Sequence, residues 1–291
     1  MPSVDALARG REVSPQELRD RADWIRLRVI ELIDGAGLGH YSSSFSCAEI
    51  LSVLYYHALR LDPRDPSWRE RDRFMLGKGH AAVALWPVLS DLGYFPPEEL
   101  DRFGQVGSPM NDHPDMLTAP GCDFSSGSLG HNLSVGVGMA LGGRLRGSDF
   151  RTFVLTGDGE LNEGQVWEAA MAAAHFGLGN LVAIVDANGF CGSGETAATM
   201  NPEPVLDKFR AFGWDALEVD GHDVEILTQT LDELPDPSGK RPICILARTV
   251  KGKGVAAMEA NPQAWHIGCM TPAQRDAAVE EISKRMQEVP A

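Results

Sequence analysis

Two polar clusters in the stretch 153–190 carry residue types that could hold a metal ion. Asp158 lies in the sequence GDGE and Asn188 in the sequence DANG, and each cluster directly follows an apolar run. Thirty positions separate the two residues, which is the length of one strand-helix-strand unit. A carboxylate and an amide oxygen are hard ligands that suit Mg²⁺ or Ca²⁺, and glycines let backbone amides approach a phosphate closely. The pattern predicts a site for a metal-bound diphosphate.

The same residues also have a purely structural interpretation, since GDG is a common turn sequence and an asparagine after a strand often caps a turn. The spacing alone leaves both interpretations open. Other glycine clusters, at 77–79, 136–143 and 251–255, do not form G-x-G-x-x-G after a strand with a downstream acid, and the sequence contains no P-loop and no H-E-x-x-H.

Short apolar runs predict the buried parallel strands that would place both clusters at one edge of a sheet. The runs are 153–157, 181–188 and 242–250, and helical patterns at 162–178, 205–213 and 224–234 separate them. Strands that alternate with helices predict an α/β fold with a doubly wound, mostly parallel sheet flanked by helices. The carboxyl ends of such strands form the ligand crevice, so Asp158 and Asn188 should share it.

Further elements are predicted along the chain. Ser14 and Glu17 form a capping box with Pro15 in the first turn, so a helix should begin there and end at Gly35 or Gly37. The remaining predictions are helices at 46–61, 80–95 (kinked at Pro87), 96–103 and 131–145, a short strand that runs into a glycine turn within 74–80, a loop over 104–130, a helix cap at Asn162 and a helical tail over 271–291. Without repeats or linkers, residues 1–291 should form a single domain.

Composition narrows the class of protein. The 291 residues are 43% hydrophobic and 23% charged with a formal net charge of −15, which argues against nucleic acid or an anionic membrane surface as the main partner. Five widely spaced cysteines without a C-x-x-C pair favour core thiols over disulfides or a zinc site. No apolar stretch has the length of a signal or membrane segment, so we expect a cytoplasmic protein.

Beyond these patterns, most of residues 15–270 resembles the thiamine diphosphate-dependent transketolase family. The family's cofactor motif is Gly-Asp-Gly followed some thirty residues later by Asn. The resemblance extends to the stretch 37–100, to HPDM at 113–116, to GSLGHNLSVGVGMAL at 127–141, to RTVKGKGV at 248–255 and to WH at 265–266. The motifs occur in the family's order.

The resemblance implies roles for individual residues. Asp158, Asn188 and the main-chain carbonyl of Phe190 would be the metal ligands. The cofactor would contact His80, Gly127, Leu129, Gly157, Asp158, Gly159, Asn188 and His266, with Leu129 beside its rings. His40 and His113 would face the donor's carbonyl and hydroxyl groups, which adds them to His80 and His266 as catalytic histidines. Glu163 would lie at a subunit interface and couple paired active sites.

The implied activity needs a cofactor and a second chain. It is the transfer of a two-carbon ketol (glycolaldehyde) unit from a ketose or ketose phosphate to an aldehyde, with thiamine diphosphate and Mg²⁺, Ca²⁺ or Mn²⁺. The chain resembles only the N-terminal, diphosphate-binding part of transketolases. We therefore expect the N-terminal subunit of a split transketolase, whose obligatory partner carries the pyrimidine and C-terminal domains, in an α2β2 heterotetramer.

Alternatives remain within and outside this family. The fold is shared by deoxyxylulose-phosphate synthase-like proteins, by 2-oxo acid dehydrogenase subunits of the α type and by non-catalytic cofactor-binding relatives. The chain also departs from the family's usual residues: His131 and Asn132 replace a glutamine and a glycine, Tyr41 with adjacent serines replaces proline and glycines, and Ala187 replaces Asn or Asp. These departures favour a specialised donor or acceptor over central pentose phosphate metabolism.

Overall fold

A five-stranded parallel sheet organises the chain in the computed structural model, which describes residues 11–287. The sheet contains β1 (Arg73–Leu76), β2 (Thr152–Gly157), β3 (Leu181–Ala187), β6 (Asp215–Asp220) and β7 (Ile243–Arg248), and a separate antiparallel hairpin consists of β4 (Phe190–Cys191) and β5 (Gly194–Glu195). The strand order is β1-β2-β3-β7-β6, and every pairing within it is parallel. The predicted α/β class with a mostly parallel sheet is therefore confirmed.

Helices cover both faces of the sheet. They are α1 (Pro15–Ala36), α2 (Tyr41–Ser46), α3 (Ala48–Val53), α4 (Ala82–Asp91), α5 (His131–Leu145), α6 (Gly164–Phe176), α7 (Thr196–Thr199), α8 (Val205–Ala211), α9 (Val224–Asp232), α10 (Ala256–Ala260) and α11 (Pro272–Gln287). Helices α1, α3, α4 and α9 share one hydrophobic core, and α5, α6 and α8 share the other. This two-sided packing is the doubly wound arrangement that the alternating pattern predicts.

The central strands form where the sequence is apolar and β-branched. All seven residues of β3 are buried, because the strand has neighbours on both sides and helices on both faces. Strand β6 was not predicted. Its sequence DALEVD alternates with polar residues because it lies at the sheet edge, where most of its side chains remain partly or fully exposed. A strand of this kind has no continuous apolar run to mark it.

The first helix matches its prediction closely. The Ser14 hydroxyl accepts a hydrogen bond from the backbone N–H of Glu17 at 3.1 Å. The helix continues through Gly35 and ends at Gly37, whose positive φ of 76° is a left-handed conformation that favours glycine. Helix α5 also begins and ends as predicted, and helix α11 of the tail packs against α1.

Three helix predictions were wrong in detail. The segment 46–61 is not one helix, because α2 already begins at Tyr41 and α3 passes into a π-helical turn, Leu54–Ala58. The segment after Pro96 is a 3₁₀ helix, Pro97–Arg102. Asn162 does not cap α6; the N-cap is Glu163, and the Asn162 amide donates to the Met200 carbonyl instead. Helix α4 runs through Pro87.

The structure also describes the cysteines and the helix lengths, which concern the predictions about core thiols and membrane segments. All five cysteines are free, as predicted. Only Cys47 and Cys244 are core residues, however, since Cys122 and Cys191 are half-buried and Cys269 is exposed. Within residues 11–287, no helix has the length and apolar character needed to cross a membrane.

Candidate functional site

The carboxyl ends of β1, β2 and β3 open onto one cavity of about 290 Å³. β1 leads into the segment 77–80, β2 into Asp158 and β3 into Asn188. The lining residues are His40, Ser43, Lys78, His80, His113, Gly127, Leu129, Gly157, Asp158, Gly159, Glu160, Asn188, Phe190, Cys191, Gly192, Lys251 and His266. Every predicted site residue except Glu163 belongs to this set, so the fold assembles residues that lie far apart in sequence.

Within residues 11–287, no cationic side chain donates a hydrogen bond to the buried carboxylate of Asp158. It is 5% exposed and accepts hydrogen bonds from the backbone N–H of Gly159 at 2.9 Å and of Gly189 at 2.7 Å. Burial, and then the nearby Asp186 carboxylate, raise the pKa of Asp158 to about 6. A bound cation would offset the charge that these surroundings leave uncompensated.

Asn188 and Phe190 line the same cavity as Asp158. The Asn188 amide nitrogen donates to Asp186 at 3.3 Å and to Ser46 at 3.5 Å, which orients its Oδ1, and this oxygen accepts the Phe190 N–H at 3.1 Å. Among the described residues, no three His, Cys, Asp or Glu side chains cluster around a possible metal position. A divalent cation would therefore depend on amide and carbonyl oxygens as well as Asp158, a donor set that suits Mg²⁺ or Ca²⁺.

The cavity-lining residue Lys78 belongs to a buried ion pair. The Lys78 ammonium contacts the Asp186 carboxylate directly and donates to the Ser43 carbonyl at 2.6 Å. Asp186 also accepts the Ser46 hydroxyl at 2.6 Å and the Thr249 hydroxyl. Burial opposes both charges, but their mutual attraction dominates, so the pKa of Lys78 is raised and that of Asp186 is lowered. This pair is charged and links β1, α2 and β3.

Four predicted histidines meet in one wall of the cavity. The ring centroid of His40 lies 5.1 Å from that of His80, 5.4 Å from that of His266 and 6.3 Å from that of His113. The ring centroids of His80 and His266 are 5.5 Å apart. The four residues come from four separate segments, so only the tertiary fold brings them together.

Two of these rings have lowered pKa values, which favours their neutral form. Burial, followed by the charge of Lys78, holds the pKa of His80 well below its ordinary value. Burial, followed by the charge of Lys251, lowers the pKa of His266 to about 4. Neutral imidazoles can donate one hydrogen bond and accept another, which suits contacts to both phosphate and hydroxyl oxygens.

Glu160 was not assigned a role by the sequence, although it belongs to the GDGE cluster. Its carboxylate is 2% exposed and accepts the backbone N–H of Gly130 at 2.9 Å and of Gly157 at 3.1 Å. It thereby fastens the loop that carries Leu129 to the end of β2. Leu129 lines the cavity and keeps 38% of its surface exposed.

Lys251 is a second cavity residue to which the sequence analysis assigned no role, although it lies in the RTVKGKGV motif. The residue is 2% exposed and lines the cavity, yet its ammonium has no hydrogen-bond partner within residues 11–287. Burial, followed by the charge of Lys78, lowers the pKa of Lys251 to about 8. An anionic ligand in the cavity would find a hydrogen-bond donor in this ammonium.

A hydrogen-bond network of Arg26, Glu49 and His222 contacts the loop that contains Lys251. Arg26 donates to both Glu49 oxygens, at 2.7 and 2.6 Å, and Glu49 accepts His222 Nδ1 at 3.0 Å. His222 Nε2 in turn accepts the Val250 N–H at 2.8 Å. Burial alone would raise the pKa of Glu49, but Arg26 and then His222 lower it to about 2.

This network predicts a pH-dependent contribution to stability. Because the folded-state pKa of Glu49 lies below the unfolded value, its contribution is present above about pH 4.5 and is lost as the pH falls toward 2. We expect the stability advantage of the wild type over Glu49→Gln to shrink by about 2 kcal/mol between about pH 5 and about pH 3. Urea unfolding of both proteins measures it, and a constant difference would contradict the assignment.

Glu163 lies outside the cavity lining, and so do Tyr41, His131 and Asn132 among the residues that depart from the family pattern, whereas Ser43 lines the cavity. Glu163 is exposed, and a Cβ atom on Gly130 would lie 2.6 Å from the Glu163 Cβ, so the two segments touch. Tyr41 is fully buried and packs against Phe45 and Trp265. His131 is exposed and Asn132 is buried, where it accepts the Ser126 hydroxyl at 3.1 Å.

Comparisons with known proteins show which family the chain is similar to. Residues 18–282 match the family model "Transketolase, thiamine diphosphate binding domain". The chain is 40% identical over 264 residues to an apulose-4-phosphate transketolase subunit of Phocaeicola vulgatus, covering 91% of this chain and 93% of that protein. It is 39% identical over 268 residues to a 6-deoxy-6-sulfo-D-fructose transketolase subunit of a Clostridium species, covering 92% and 97%.

Full-length transketolases match over only part of their length. The chain is 36% identical to human transketolase over 94% of this chain and 43% of the human protein. The crystal structure of Campylobacter jejuni transketolase superposes with a TM-score of 0.85 at 29% identity, again over 94% of this chain and 43% of that chain. The chain spans less than half of these proteins.

The chain belongs to the transketolase family and contains its thiamine diphosphate-binding domain. It is a transketolase-like transferase that resembles the subunits of split transketolases in length as well as in sequence.

Proposed function

We propose that this chain is the diphosphate-binding subunit of a two-chain transketolase, which transfers a two-carbon ketol unit from a ketose or ketose phosphate to an aldehyde. The observation that carries the proposal is that two buried side chains of opposite charge line one cavity. Among the described residues, Asp158 is a buried carboxylate to which no cationic side chain donates a hydrogen bond, and Lys251 is a buried ammonium without a hydrogen-bond partner. A divalent metal bound to a diphosphate satisfies both.

The residues present fit this ligand. Asp158, Asn188 and the Phe190 carbonyl would hold Mg²⁺, Ca²⁺ or Mn²⁺, and Lys251, His80 and His266 would contact diphosphate oxygens. Gly157 and Gly159 line the cavity at the end of β2 and would contact the cofactor, and Leu129 would pack against the rings, next to Gly127. Thiamine diphosphate, when bound, supplies the carbon nucleophile that breaks the bond next to a ketose carbonyl.

The chain's own groups would then handle the substrate. His40 and His113 would face the donor's carbonyl and hydroxyl oxygens, since both line the cavity beyond His80. The neutral rings of His80 and His266 can exchange protons with hydroxyl groups without first losing one. Together these histidines would orient the ketose and move protons on and off its oxygens.

A second chain is required to complete the site in this proposal. The apolar side chain of Leu129 is exposed at the cavity rim, and Glu163 is exposed on the adjoining surface. The two relatives of similar length are named as subunits, whereas full-length transketolases extend well beyond the matched region. We place the pyrimidine and C-terminal domains on the partner, within a cytoplasmic α2β2 heterotetramer in which residues 1–291 are one domain.

The names of similar proteins indicate the kind of donor that this site would accept. The names of the two relatives of similar length contain apulose 4-phosphate and 6-deoxy-6-sulfo-D-fructose, both of which are anionic ketoses. We therefore infer an anionic ketose donor of specialised metabolism. Ordinary transketolase rates with xylulose 5-phosphate and ribose 5-phosphate would contradict the specialised role.

Calorimetry tests cofactor binding directly. The chain is mixed with the product of an adjacent transketolase-like gene, and thiamine diphosphate is titrated with and without Mg²⁺. We expect a defined complex that binds the cofactor only with the metal. A complex that binds no cofactor would make the chain a non-catalytic relative, and the GDGE and DANG clusters would then be structural turns.

The same titration tests Lys251. We expect Lys251→Met to weaken cofactor affinity about 10- to 100-fold, because a charge-assisted hydrogen bond to the diphosphate is lost. Lys253→Met is the matched control, since Lys253 lies on the same loop but does not line the cavity. Equal losses in both variants would indicate general damage to the loop and would exclude a specific contact.

A further inference from the structure

Asp112 lies between two of the cavity histidines, and neither the sequence motifs nor the family resemblance assigned it a role. Its Oδ1 is 3.0 Å from His40 Nδ1, and its Oδ2 is 3.5 Å from His113 Nδ1. One carboxylate therefore faces the same ring nitrogen of both residues that the proposed function places against the substrate.

The chemistry of the contact fixes the form of His40. An ionised carboxylate can only accept hydrogen bonds, so His40 Nδ1 must carry the proton. In the neutral ring the other nitrogen, Nε2, then has a free lone pair. His40 is 8% exposed and lines the cavity, and its Nε2 has no hydrogen-bond partner within residues 11–287. The basic nitrogen is therefore left for a ligand.

The other two histidines of the wall have no such arrangement. Neither His80 nor His266 has a carboxylate within hydrogen-bond distance among the described residues, and His266 Nδ1 contacts only the Ser43 hydroxyl, at 3.4 Å. Cationic side chains lie near these two rings instead, since the charges of Lys78 and Lys251 lower the pKa values of both. The wall thus contains one pair of rings next to an anion and one pair next to cations.

We propose that Asp112 is a positioning residue that holds His40 as the Nδ1-protonated tautomer, so that Nε2 of His40 is the base that faces the substrate. The arrangement follows a general rule, in which the hydrogen bond at one ring nitrogen decides the role of the other. The identity of the substrate rests on the proposed function, but the effect of Asp112 on His40 does not.

Nuclear magnetic resonance of the full chain tests the tautomer without any activity. Histidine labelled with ¹⁵N distinguishes protonated from bare ring nitrogens, and His40→Gln identifies the His40 signals among the eight histidines. We expect Nδ1-protonated His40 in the wild type and in the control Asp101→Asn, which removes an exposed charge from the Pro97–Arg102 turn. In Asp112→Ala we expect a shift toward the other tautomer.

The outcomes are decisive in either direction. An unchanged His40 tautomer in Asp112→Ala would overturn the proposal. If that variant does not fold, Asp112→Gly removes the same carboxylate with a residue that loop conformations accept readily. The remaining histidine signals and the unfolding midpoint report whether either variant is intact.

Kinetics of the reconstituted, cofactor-loaded complex give the second measurement. We expect Asp112→Ala to lower kcat about 10- to 100-fold with little change in cofactor affinity, because His40 is misoriented while the diphosphate contacts stay intact. Unchanged kcat in an active complex would overturn the positioning role and leave the proposed function standing. A wild-type complex that is inactive with every ketose would remove the proposed function, while the tautomer result still decides the effect of Asp112 on His40.

Discussion

Replacing Lys78 with methionine is expected to lower the free energy of unfolding by about 3–5 kcal/mol. The substitution keeps most of the aliphatic volume but removes the only ammonium in contact with Asp186 among the described residues. Asp186 is fully buried, and the Asp158 carboxylate lies nearby. An uncompensated charge in such surroundings costs far more than the ion pair itself contributes.

Chemical denaturation of the full chain measures this loss. Lys240→Met serves as the control, because Lys240 is an exposed lysine and its replacement should change the free energy of unfolding by less than about 0.5 kcal/mol. The double variant Lys78→Met/Asp186→Asn should recover part of the stability, since it removes both charges. If the double variant is no more stable than Lys78→Met alone, the buried charge of Asp186 is not the cause.

Replacing Asp158 with asparagine is expected to weaken metal-dependent cofactor binding about 100-fold or more, since even residues that only orient metal ligands cost 10- to 100-fold when they are changed. Asparagine keeps the shape, but its single amide oxygen can accept only one of the two backbone N–H groups, of Gly159 and Gly189, that the Asp158 carboxylate accepts. Without metal, the lost hydrogen bond and the removal of a buried negative charge oppose each other, so the free energy of unfolding should stay close to that of the wild type.

These paired measurements separate the two interpretations of the GDGE cluster. If Asp158 is a metal ligand, cofactor binding should be lost while the free energy of unfolding stays close to that of the wild type. A turn residue predicts the reverse, namely reduced stability with unchanged cofactor affinity. Asp207→Asn on α8 is the control for both measurements, since Asp207 is exposed and lies outside the cavity lining.

Much of the architecture follows from the sequence for simple reasons. Strands β2, β3 and β7 are continuous apolar runs because they are buried on both faces, and the ends of α1 are marked by Ser14 and Gly37. Strand β6 and the β4–β5 hairpin carry no such signal. The edge strand is partly polar, and the hairpin has only two residues in each strand, which is too short for any period to appear.

Site residues that belong to a family motif could be predicted from the sequence. Residues whose role depends on a contact between distant segments could not. The resemblance placed Asp158, Asn188 and the four histidines in one site, and the structure brings them together. Pairings such as that of Lys78 with Asp186 join segments distant in sequence, so no local pattern reveals them. Asp112 stands next to a recognised histidine, yet its importance depends on His40, which lies 72 positions earlier.

The exposed rim at Leu129 has a thermodynamic consequence for the proposed complex. If two chains share one ligand site, ligand binding and association are linked, and each strengthens the other by the same factor. Cofactor affinity then depends on the concentration of the partner, so dilution of the complex releases thiamine diphosphate even when the free cofactor is constant. Conversely, loss of the cofactor loosens the complex, and the supply of the vitamin would regulate the amount of assembled enzyme.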